Sequence, residues 1–250
     1  MSWKLPDSAL SLRGPASVSI DPGGFDLPSR LFELLKALPR RRRLLDVGAD
    51  HGLLALAALR LGIVEEAFAI DRREGPLAGA AARGYLAKND RYQFVLSDGL
   101  KGVETAGDDV VVIAGMSGEN ASCILRDVLS RGERLPALWA FQVNDGHTHL
   151  RETLFKAGFC ALSEWFTSEP RRFFLNQLWV YSGGAPIYSE RDCELGPLTL
   201  GGQSPLMRTW VKLERARLAR ELEGLQQARD FNADNLRYKA IVQRDRLLAG

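Results

Sequence analysis

Cysteine is scarce in this sequence, and its placement excludes two common uses of the residue. There are three cysteines in 250 residues, so their number is odd, and they lie far apart in the chain. This pattern supplies neither the framework of a disulfide-stabilised domain nor a C-x-x-C metal site. We therefore expect Cys123, Cys160 and Cys193 to be free thiols in a reducing compartment.

Long apolar segments are missing as well. No window approaches the roughly 18 consecutive apolar residues that a membrane span requires, and the opening MSWKLPDSALSLRGP has no apolar core of signal-peptide length. The sequence predicts no membrane partner and a cytoplasmic location. The formal net charge is only +2, so a case for nucleic-acid binding has to rest on local basic patches and not on the overall field.

Histidine is equally rare, with three in the whole chain. Two of them, His147 and His149, stand close together in the segment GHTHL. They lack the further ligands that a zinc site needs, so no metal is predicted.

What the sequence does contain is a regular alternation of strand and helix patterns. Short apolar runs such as LLDV (44–47) alternate with segments whose apolar residues recur at helical spacing. This order indicates a parallel sheet with helices on both faces. A hairpin pattern, CALSEWFTSEPRRFFLNQLWVYSG, replaces the last strand–helix unit. The predicted fold is therefore α/β, with the Rossmann-like seven-stranded sheet of class I methyltransferases.

Residues 206–250 differ in character from the rest of the chain. They carry two apolar stripes, Met207 to Leu225 and Phe231 to Leu248, on either side of the turn signal RDFNADN. This pattern predicts two antiparallel helices in a coiled-coil hairpin. Ten basic side chains outnumber six acidic ones there, which fits either a solvated face or an RNA-binding surface. The predicted parts are a loose N-terminal lead-in (1–25), a cofactor-binding methyltransferase domain (26–185), a linker (186–205) and the helical hairpin (206–250).

The stretch DVGADHGLL (46–54) stands where the first strand passes into a helix, which is where ligands bind in open parallel sheets. Gly48 and Gly52 allow a close approach of the backbone to a ligand, but their spacing does not match the dinucleotide fingerprint. Asp50 takes the place of the glycine that makes room for a diphosphate, and its charge would repel one. A cationic cofactor fits better, and S-adenosyl-L-methionine carries a sulfonium and an ammonium group.

Two further strand patterns end in an acid. Asp71 lies where an acid can accept both hydroxyls of a ribose, and Asp98 lies where it can accept from an adenine amino group. Each acid has an alternative role, because Asp46 can cap a helix and the other two can be turn residues. Buried carboxylates without partners are unfavourable, so the acids and the glycine turn together predict a nucleoside-bearing cofactor.

Five segments together resemble a known family. DVGADHGLL, IDRREGPL, SDGL, VVIAGMSG and FQVN are similar, in this order, to the motifs of the bacterial tRNA adenine-22 N1-methyltransferases, the TrmK family. The linker segment LGPLTL and the C-terminal helical pair also have counterparts there. The resemblance runs from about Leu27 to the end of the chain.

The resemblance implies a class I methyltransferase that uses S-adenosyl-L-methionine, binds tRNA with the help of its coiled-coil tail and forms N1-methyladenosine. It implies a cofactor site made of Asp46, Gly48, Asp50, His51, Gly52, Asp71, Asp98, Gly99, Ala114, Gly115 and Met116. Catalytic roles fall to Asp50, His51, Met116 and Asn144. Substrate contacts are expected from Arg30, Gln142, Asn144, Arg215, Arg217 and Arg220.

Methyl transfer from a sulfonium is an in-line displacement, so catalysis is expected to come mostly from positioning. The charge that builds on adenine can be relieved by loss of an N6 proton to His51 or Asp50. For His51, an equally weighted alternative is a helix-start residue bonded to the backbone. A base that leaves its stack needs apolar walls, for which Phe141, Trp165 and Phe166 are the nearest residues.

The sequence departs from the family at two positions on the acceptor side. Ser117 replaces a glycine, and Val143 replaces a proline between Gln142 and Asn144. Cofactor binding is expected to survive both changes. Alternatives are a methyltransferase acting on a small molecule or a protein, a cofactor-binding module without catalysis and, disfavoured by Asp50, an NAD oxidoreductase. The expected partner is tRNA, and the expected state is a monomer or weak dimer.

Overall fold

Strands and helices alternate in the order that the sequence predicts. The computed structural model describes residues 17–20, 25–74, 90–169, 172–184, 186–196, 204–228 and 231–249. The strands within them are β1 (Ser17–Ser19), β2 (Asp26–Pro28), β3 (Arg41–Val47), β4 (Val64–Asp71), β5 (Tyr92–Leu96), β6 (Val110–Ala114), β7 (Leu138–Gln142), β8 (Phe159–Glu169) and β9 (Arg172–Tyr181). The helices are α1 (Ser29–Lys36), α2 (Leu53–Arg60), α3 (Gly118–Ser130), α4 (His147–Lys156), α5 (Glu190–Leu195), α6 (Pro205–Gln226) and α7 (Leu236–Ala249).

Seven of these strands form one sheet in the order β5-β4-β3-β6-β7-β9-β8. The strands from β5 to β7 pair in parallel, whereas β9 runs antiparallel to both β7 and β8. The predicted seven-stranded methyltransferase sheet with its terminal hairpin is therefore confirmed. The strand order reverses between β3 and β6, so a crevice opens beyond the C-terminal ends of these two strands.

The central strands are buried on both faces, which is why their sequences are continuous apolar runs. In β6, Val110 and Val112 pack into the core that contains α1 and α2. Val111 and Ile113 point to the opposite core, which contains α3 and α4. All four side chains are fully buried, so the crevice lies at the end of a strand that is packed on both sides.

The C-terminal helices pack together and against the sheet. Leu218 of α6 contacts Ile241 and Leu248 of α7 in a small apolar core. Trp210 of α6 stacks on Phe166 of β8, with ring centroids 5.1 Å apart. The helical hairpin is thus attached to the sheet edge that β8 forms.

The structure differs from the predicted boundaries in three places. Ser17–Ser19, inside the predicted lead-in, pairs with β2 in a two-stranded sheet. The predicted linker contains α5, which begins with a capping box between Ser189 and Asp192. Strand β3 begins at Arg41 and not at residue 44, because Arg43 binds the buried Asp109 through Nε at 2.8 Å and Nη2 at 2.7 Å. The segment GPLAGAAARGYLAKN (75–89), whose pattern predicts a helix, lies outside the described residues.

None of the helices in the described segments has the length and apolar character needed to cross a membrane. In the same part of the chain, no three histidine, cysteine, aspartate or glutamate side chains come together as a metal site requires.

Candidate active site

A cleft of about 670 Å³ opens at the C-terminal ends of β3, β4, β5 and β6, where the strand order reverses. Eleven of the seventeen residues predicted for the cofactor site, catalysis or substrate contacts line it: Arg30, Asp46, Gly48, Asp50, His51, Asp71, Asp98, Gly99, Ala114, Gly115 and Met116. Gly52, Gln142, Asn144, Arg215, Arg217 and Arg220 do not line it. The fold therefore brings the acids of three strand ends to one cavity.

The turn between β3 and α2 is built from backbone in the left-handed region. Gly48, Asp50 and Gly52 have φ angles of 76°, 51° and 65°. At Gly52 a Cβ atom would lie 2.3 Å from the Tyr92 hydroxyl oxygen, and that hydroxyl donates a 2.8 Å hydrogen bond to the Gly52 carbonyl. Gly52 thus supports the cleft from behind, because only glycine fits between α2 and β5 here.

Asp46 is a buried carboxyl group with incomplete hydrogen bonding. Its side chain lies at the end of β3 and is only 4% exposed. A backbone N–H from Ala55 donates to the group, but Oδ2 has no partner among the described residues. Burial, with a smaller contribution from the nearby Asp71, raises the pKa of Asp46 to about 7, although the Ala55 hydrogen bond acts in the opposite direction. Such a group favours a cationic ligand that restores its charge and fills its free oxygen.

Asp71, at the end of β4, is also buried but has partners. Its carboxylate accepts from the backbone N–H of Asp50 at 3.1 Å and of Arg73 at 3.0 Å. The Arg73 guanidinium lies 3.4 Å from Asp71 and 3.6 Å from Asp50. Since Arg73 is 61% exposed, these ion pairs are weak and leave the acids accessible to a ligand.

Asp98 lies at the surface and, with Asp46 and Asp71, forms the acidic rim of the cleft. It lies after β5, and its carboxylate is 2.5 Å from the Lys101 ammonium group. This hydrogen bond lowers the pKa of Asp98. Gly99 and Ile124 line the same end of the cleft, so an apolar wall and an acceptor meet there, as an adenine ring requires.

The lip of the cleft opposite the acidic rim is formed by two loops, one after β6 and one after β7. The backbone N–H of Asn144 donates to the Met116 carbonyl at 2.8 Å, and its side-chain Nδ2 donates to the Gly115 carbonyl at 2.6 Å. Asn144 therefore holds the loop that follows β6 against the loop that follows β7. The Ser117 hydroxyl accepts from the Asn120 backbone at 3.2 Å and caps α3, which gives this departure from the family motif a local structural reason.

Gln142 does not reach the acceptor side of the cleft, although the sequence places it there. It is fully buried at the end of β7. Its amide oxygen accepts from Arg30 Nη1, while its amide nitrogen donates to the Arg30 carbonyl at 3.1 Å and to Asn176 Oδ1. Arg30 does line the cleft, so Gln142 touches it only through Arg30.

The aromatic walls predicted for an extruded base are wrong at two positions. Phe141 is fully buried in the core that contains α3 and α4, because β7 is a central strand. Phe166 is covered by Trp210 of α6. Trp165 is partly buried against the opposite core. The cleft wall instead contains the predicted Met116 together with Leu53 and Leu54, and the sequence gives the two leucines the pattern of ordinary core residues.

His51 lies at the cleft with its ring 43% exposed and its Nε2 atom 3.7 Å from Asp50 Oδ2. Its Nδ1 atom is buried and has no partner in the described part of the chain. The backbone-bonded helix-start role is therefore not seen. The remaining predicted residues lie on α6, where Arg215 pairs with Asp245 at 2.9 Å and Arg217 with Glu214 and Glu221, each at 2.8 Å. Arg220 donates to the Ala216 carbonyl at 3.1 Å.

The cleft fits a cofactor that is cationic at one end and carries a nucleoside at the other. The free Asp46 oxygen marks the cationic end, and Asp71 and Asp98 follow on the next two strands. A family model described as a methyltransferase domain matches residues 27–175, which include every strand that borders the cleft. The chain belongs to this methyltransferase family. Methyltransferases of this fold take their methyl group from S-adenosyl-L-methionine, so the cofactor predicted from the sequence is confirmed.

Solved structures share the fold of this methyltransferase over nearly their whole length. A candidate tRNA (m1A22) methyltransferase of Streptococcus pneumoniae is 25% identical, with a TM-score of 0.76 over 89% of this chain and 98% of that one. The m1A22 tRNA methyltransferase TrmK of B. subtilis is 21% identical, with a TM-score of 0.76 over 89% and 97%. TrmK of M. capricolum, in complex with S-adenosyl-homocysteine, is 19% identical, with a TM-score of 0.74 over 89% and 96%. No curated protein matches this chain.

Some residues in the cleft or behind it carried no signal in the sequence. Arg73 lies two residues after the predicted site residue Asp71, but an arginine at this position is typical of an ordinary surface charge. Tyr92 and Asn176 stand in strand patterns as single polar groups, and their partners, Gly52 and Gln142, are distant in sequence. Only the folded sheet brings these pairs together.

Proposed function

We propose that this S-adenosyl-L-methionine-dependent methyltransferase methylates N1 of an adenosine in tRNA. The observation that supports the proposal most strongly is the set of TrmK-like motifs. Described residues of four of the five line one cleft, and Asn144 of the fifth binds the Gly115 and Met116 carbonyls at its lip. The likeness to solved tRNA m1A22 methyltransferases, over 89% of this chain and 98% and 97% of theirs, agrees with it. A tRNA substrate places the enzyme in the cytoplasm, and we propose that it acts as a monomer or weak dimer.

The residues of the cleft can hold the donor in a fixed orientation. When bound, S-adenosyl-L-methionine supplies an electrophilic methyl group on its sulfonium. Asp46 would offer a buried carboxylate to the ammonium group, Asp71 would accept from the ribose hydroxyls, and Asp98 would accept from the adenine amino group. Because the transfer is an in-line displacement, fixing the donor against the acceptor is the main contribution that the protein makes.

The proton released from the methylated base needs an acceptor. Adenine N1 is already a nucleophile, and the positive charge on the product is relieved when N6 loses a proton. We propose that His51 Nε2, with Asp50 3.7 Å away, takes this proton at the edge of the cleft. On the opposite lip, Met116 and Asn144 limit the space that the base can occupy.

The proposal is tested by methylation of a total tRNA pool from cells that lack N1-methyladenosine. Purified protein and S-adenosyl-L-methionine are incubated with the pool, and the nucleosides are read by mass spectrometry. We expect N1-methyladenosine to appear as the new methylated nucleoside. Cofactor binding without any new methylated nucleoside would reject tRNA as the substrate. It would favour a small-molecule or protein acceptor, or a binding module without catalysis.

We expect the helical hairpin to contribute to tRNA binding through its cations. Replacing Arg215, Arg217 and Arg220 together by glutamine should raise the KM for tRNA about tenfold and reduce the salt slope of binding by up to about three, because each phosphate contact contributes about one. These side chains are exposed. The pairs of Arg215 with Asp245 and of Arg217 with Glu214 and Glu221 are of the weak surface kind.

The matched control removes three cations from the end of the sheet that lies opposite the cleft. Lys36, Arg40 and Arg42 lie at the end of α1 and the start of β3, and their triple glutamine variant should keep the wild-type KM. Filter binding over a salt series measures both variants. Equal effects of the two triple variants would show that only net charge matters and that the hairpin is not a specific binding surface.

A further inference from the structure

A chain of buried amides links the core of the sheet to the mouth of the cleft. Gln142 and Asn176 are both fully buried, on the neighbouring strands β7 and β9. Gln142 donates to Asn176 Oδ1, and Asn176 Nδ2 donates to Thr167 Oγ1 at 3.2 Å and to the Trp165 carbonyl at 3.4 Å. An apolar pair of the same shape would pack in a sheet core without needing these bonds, so folding stability does not explain the amides.

The outer end of this chain is Arg30, the second residue of α1. Gln142 binds Arg30 twice, because its amide oxygen accepts from Nη1 and its amide nitrogen donates to the Arg30 carbonyl at 3.1 Å. The backbone N–H of Arg30 donates to Glu169 at 3.4 Å, and the guanidinium lies 5.0 Å from the centre of the Phe174 ring. Both the main chain and the side chain of Arg30 are therefore fixed.

Arg30 differs from the other arginines that line the cleft. Arg73 is exposed and lies beside Asp50 and Asp71, and Arg72 follows Asp71 directly, so both belong to the acidic rim. The Arg30 side chain is only 21% exposed. Its Nη2 atom has no hydrogen-bond partner among the described residues, and Glu169 is 3.9 Å from Nε. A guanidinium that is held in place with free N–H groups at a cleft is suited to bind a phosphate.

We propose that Gln142 and Asn176 are positioning residues that hold Arg30 against a phosphate of the acceptor nucleotide. The inference rests on the proposed function, because it assigns the ligand of Arg30 to the RNA and not to the cofactor. The cofactor has no phosphate, and its cationic groups are matched by the acids of the rim. Gln142 thereby acts on the substrate without touching it, and Asn176 acts through Gln142.

The test compares Asn176→Leu with Arg30→Gln and with the double variant. Asn176→Leu is expected to raise the KM for tRNA about tenfold, which is the loss of one charge-assisted contact, with cofactor affinity unchanged within about twofold. Both single variants should reduce the salt slope of tRNA binding by about one, as the loss of one phosphate contact does. The double variant should be no worse than Arg30→Gln alone, because the two residues act through one contact.

The control is Gln177→Met, which removes the neighbouring buried amide on β9. Gln177 is also fully buried, and its amide donates to Glu164 at 2.6 Å on the side away from Arg30. The Gln177→Met variant should lose stability, as Asn176→Leu does, but should keep the wild-type KM for tRNA and the wild-type salt slope of tRNA binding. Gln142→Met breaks the same chain nearer to Arg30 and should reproduce Asn176→Leu.

The outcomes separate the inference from the proposed function. One outcome is that the wild-type protein methylates tRNA but the effects of Asn176→Leu and Arg30→Gln add in the double variant. Another is that it methylates tRNA but Gln177→Met changes the salt slope as much as Asn176→Leu does. In either case the inference is wrong and the proposed function stands. If the wild-type protein binds S-adenosyl-L-methionine and methylates no tRNA, the proposed function fails and the inference fails with it.

Discussion

Replacing Asp46 by asparagine is expected to lower the affinity for S-adenosyl-L-methionine by at least about a hundredfold near neutral pH, since one partner of a buried ion pair is lost. The same change should stabilise the protein in the absence of cofactor. Asp46 is the buried strand-end acid whose Oδ2 atom has no partner in the described residues. It therefore contributes to binding at the expense of folding stability.

The stability effect has a defined pH window. The pKa of Asp46 is raised from 3.8 to about 7 by burial, so between these values the folded protein holds a proton that the unfolded chain releases. The free energy of unfolding of the wild type therefore falls as the pH rises through this window. Asparagine does not titrate, so the gain of the variant is greatest above about pH 7 and disappears toward pH 4, with an upper limit of about 4 kcal/mol.

Calorimetric titration and thermal unfolding at several pH values measure both effects. Asp90→Asn is the matched control, because Asp90 is an exposed acid just before β5, at the opposite end of the strand from the cleft. It should change neither affinity nor stability. An unchanged affinity in Asp46→Asn would exclude Asp46 from the cofactor site, and a gain in stability that does not depend on pH would show that its carboxyl group is ionised in the folded protein.

Gly118→Ala is expected to abolish most of the methyl transfer, with a rate at least about a hundredfold lower, because misplacement of catalytic groups by about 1 Å has effects of this size. A Cβ atom at this position would lie 2.2 Å from the Gly146 carbonyl oxygen. The obstacle is backbone, so the loop after β7 has to move. That loop carries Asn144, whose bonds to Gly115 and Met116 form the acceptor lip.

Gly224→Ala provides the control for this prediction. Gly224 lies within α6 with open space around it, so alanine there should raise stability by about 0.5–1 kcal/mol and leave the rate unchanged. Gly118→Ala should lower stability by about 1–3 kcal/mol through overpacking. Rates measured at saturating cofactor and tRNA, well below the melting temperature, separate catalysis from folding. A wild-type rate in Gly118→Ala would show that the lip does not position the acceptor.

The sheet could be predicted from the sequence because its signals are local. Runs such as VVVIA in β6 are apolar at every position, and this pattern arises only when a strand is buried on both faces. The acids at Asp46, Asp71 and Asp98 could be predicted for the same reason, because each lies at or within two residues of the end of a strand. Parallel topology then places the three ends at one edge of the sheet.

The contacts that depend on distant residues could not be predicted. The resemblance placed Gln142 on the acceptor lip, whereas pairing of β7 with β9 buries it beside Asn176. Phe141 is predicted from the sequence as a candidate wall for the extruded base, but its position in a central strand buries it completely. The start of β3 was missed because arginines are poor strand signals, and it is the buried Asp109 that holds Arg43 in the strand.

The most direct test of the whole account is a crystal structure of the protein with S-adenosyl-L-methionine bound. We predict that the cofactor occupies the cleft at the strand ends, with its ammonium group on the Asp46 carboxylate and its ribose hydroxyls on Asp71. A cofactor bound with its charged end away from Asp46, or bound elsewhere while Asp50 and Asp71 keep their contacts with Arg73, would contradict the account.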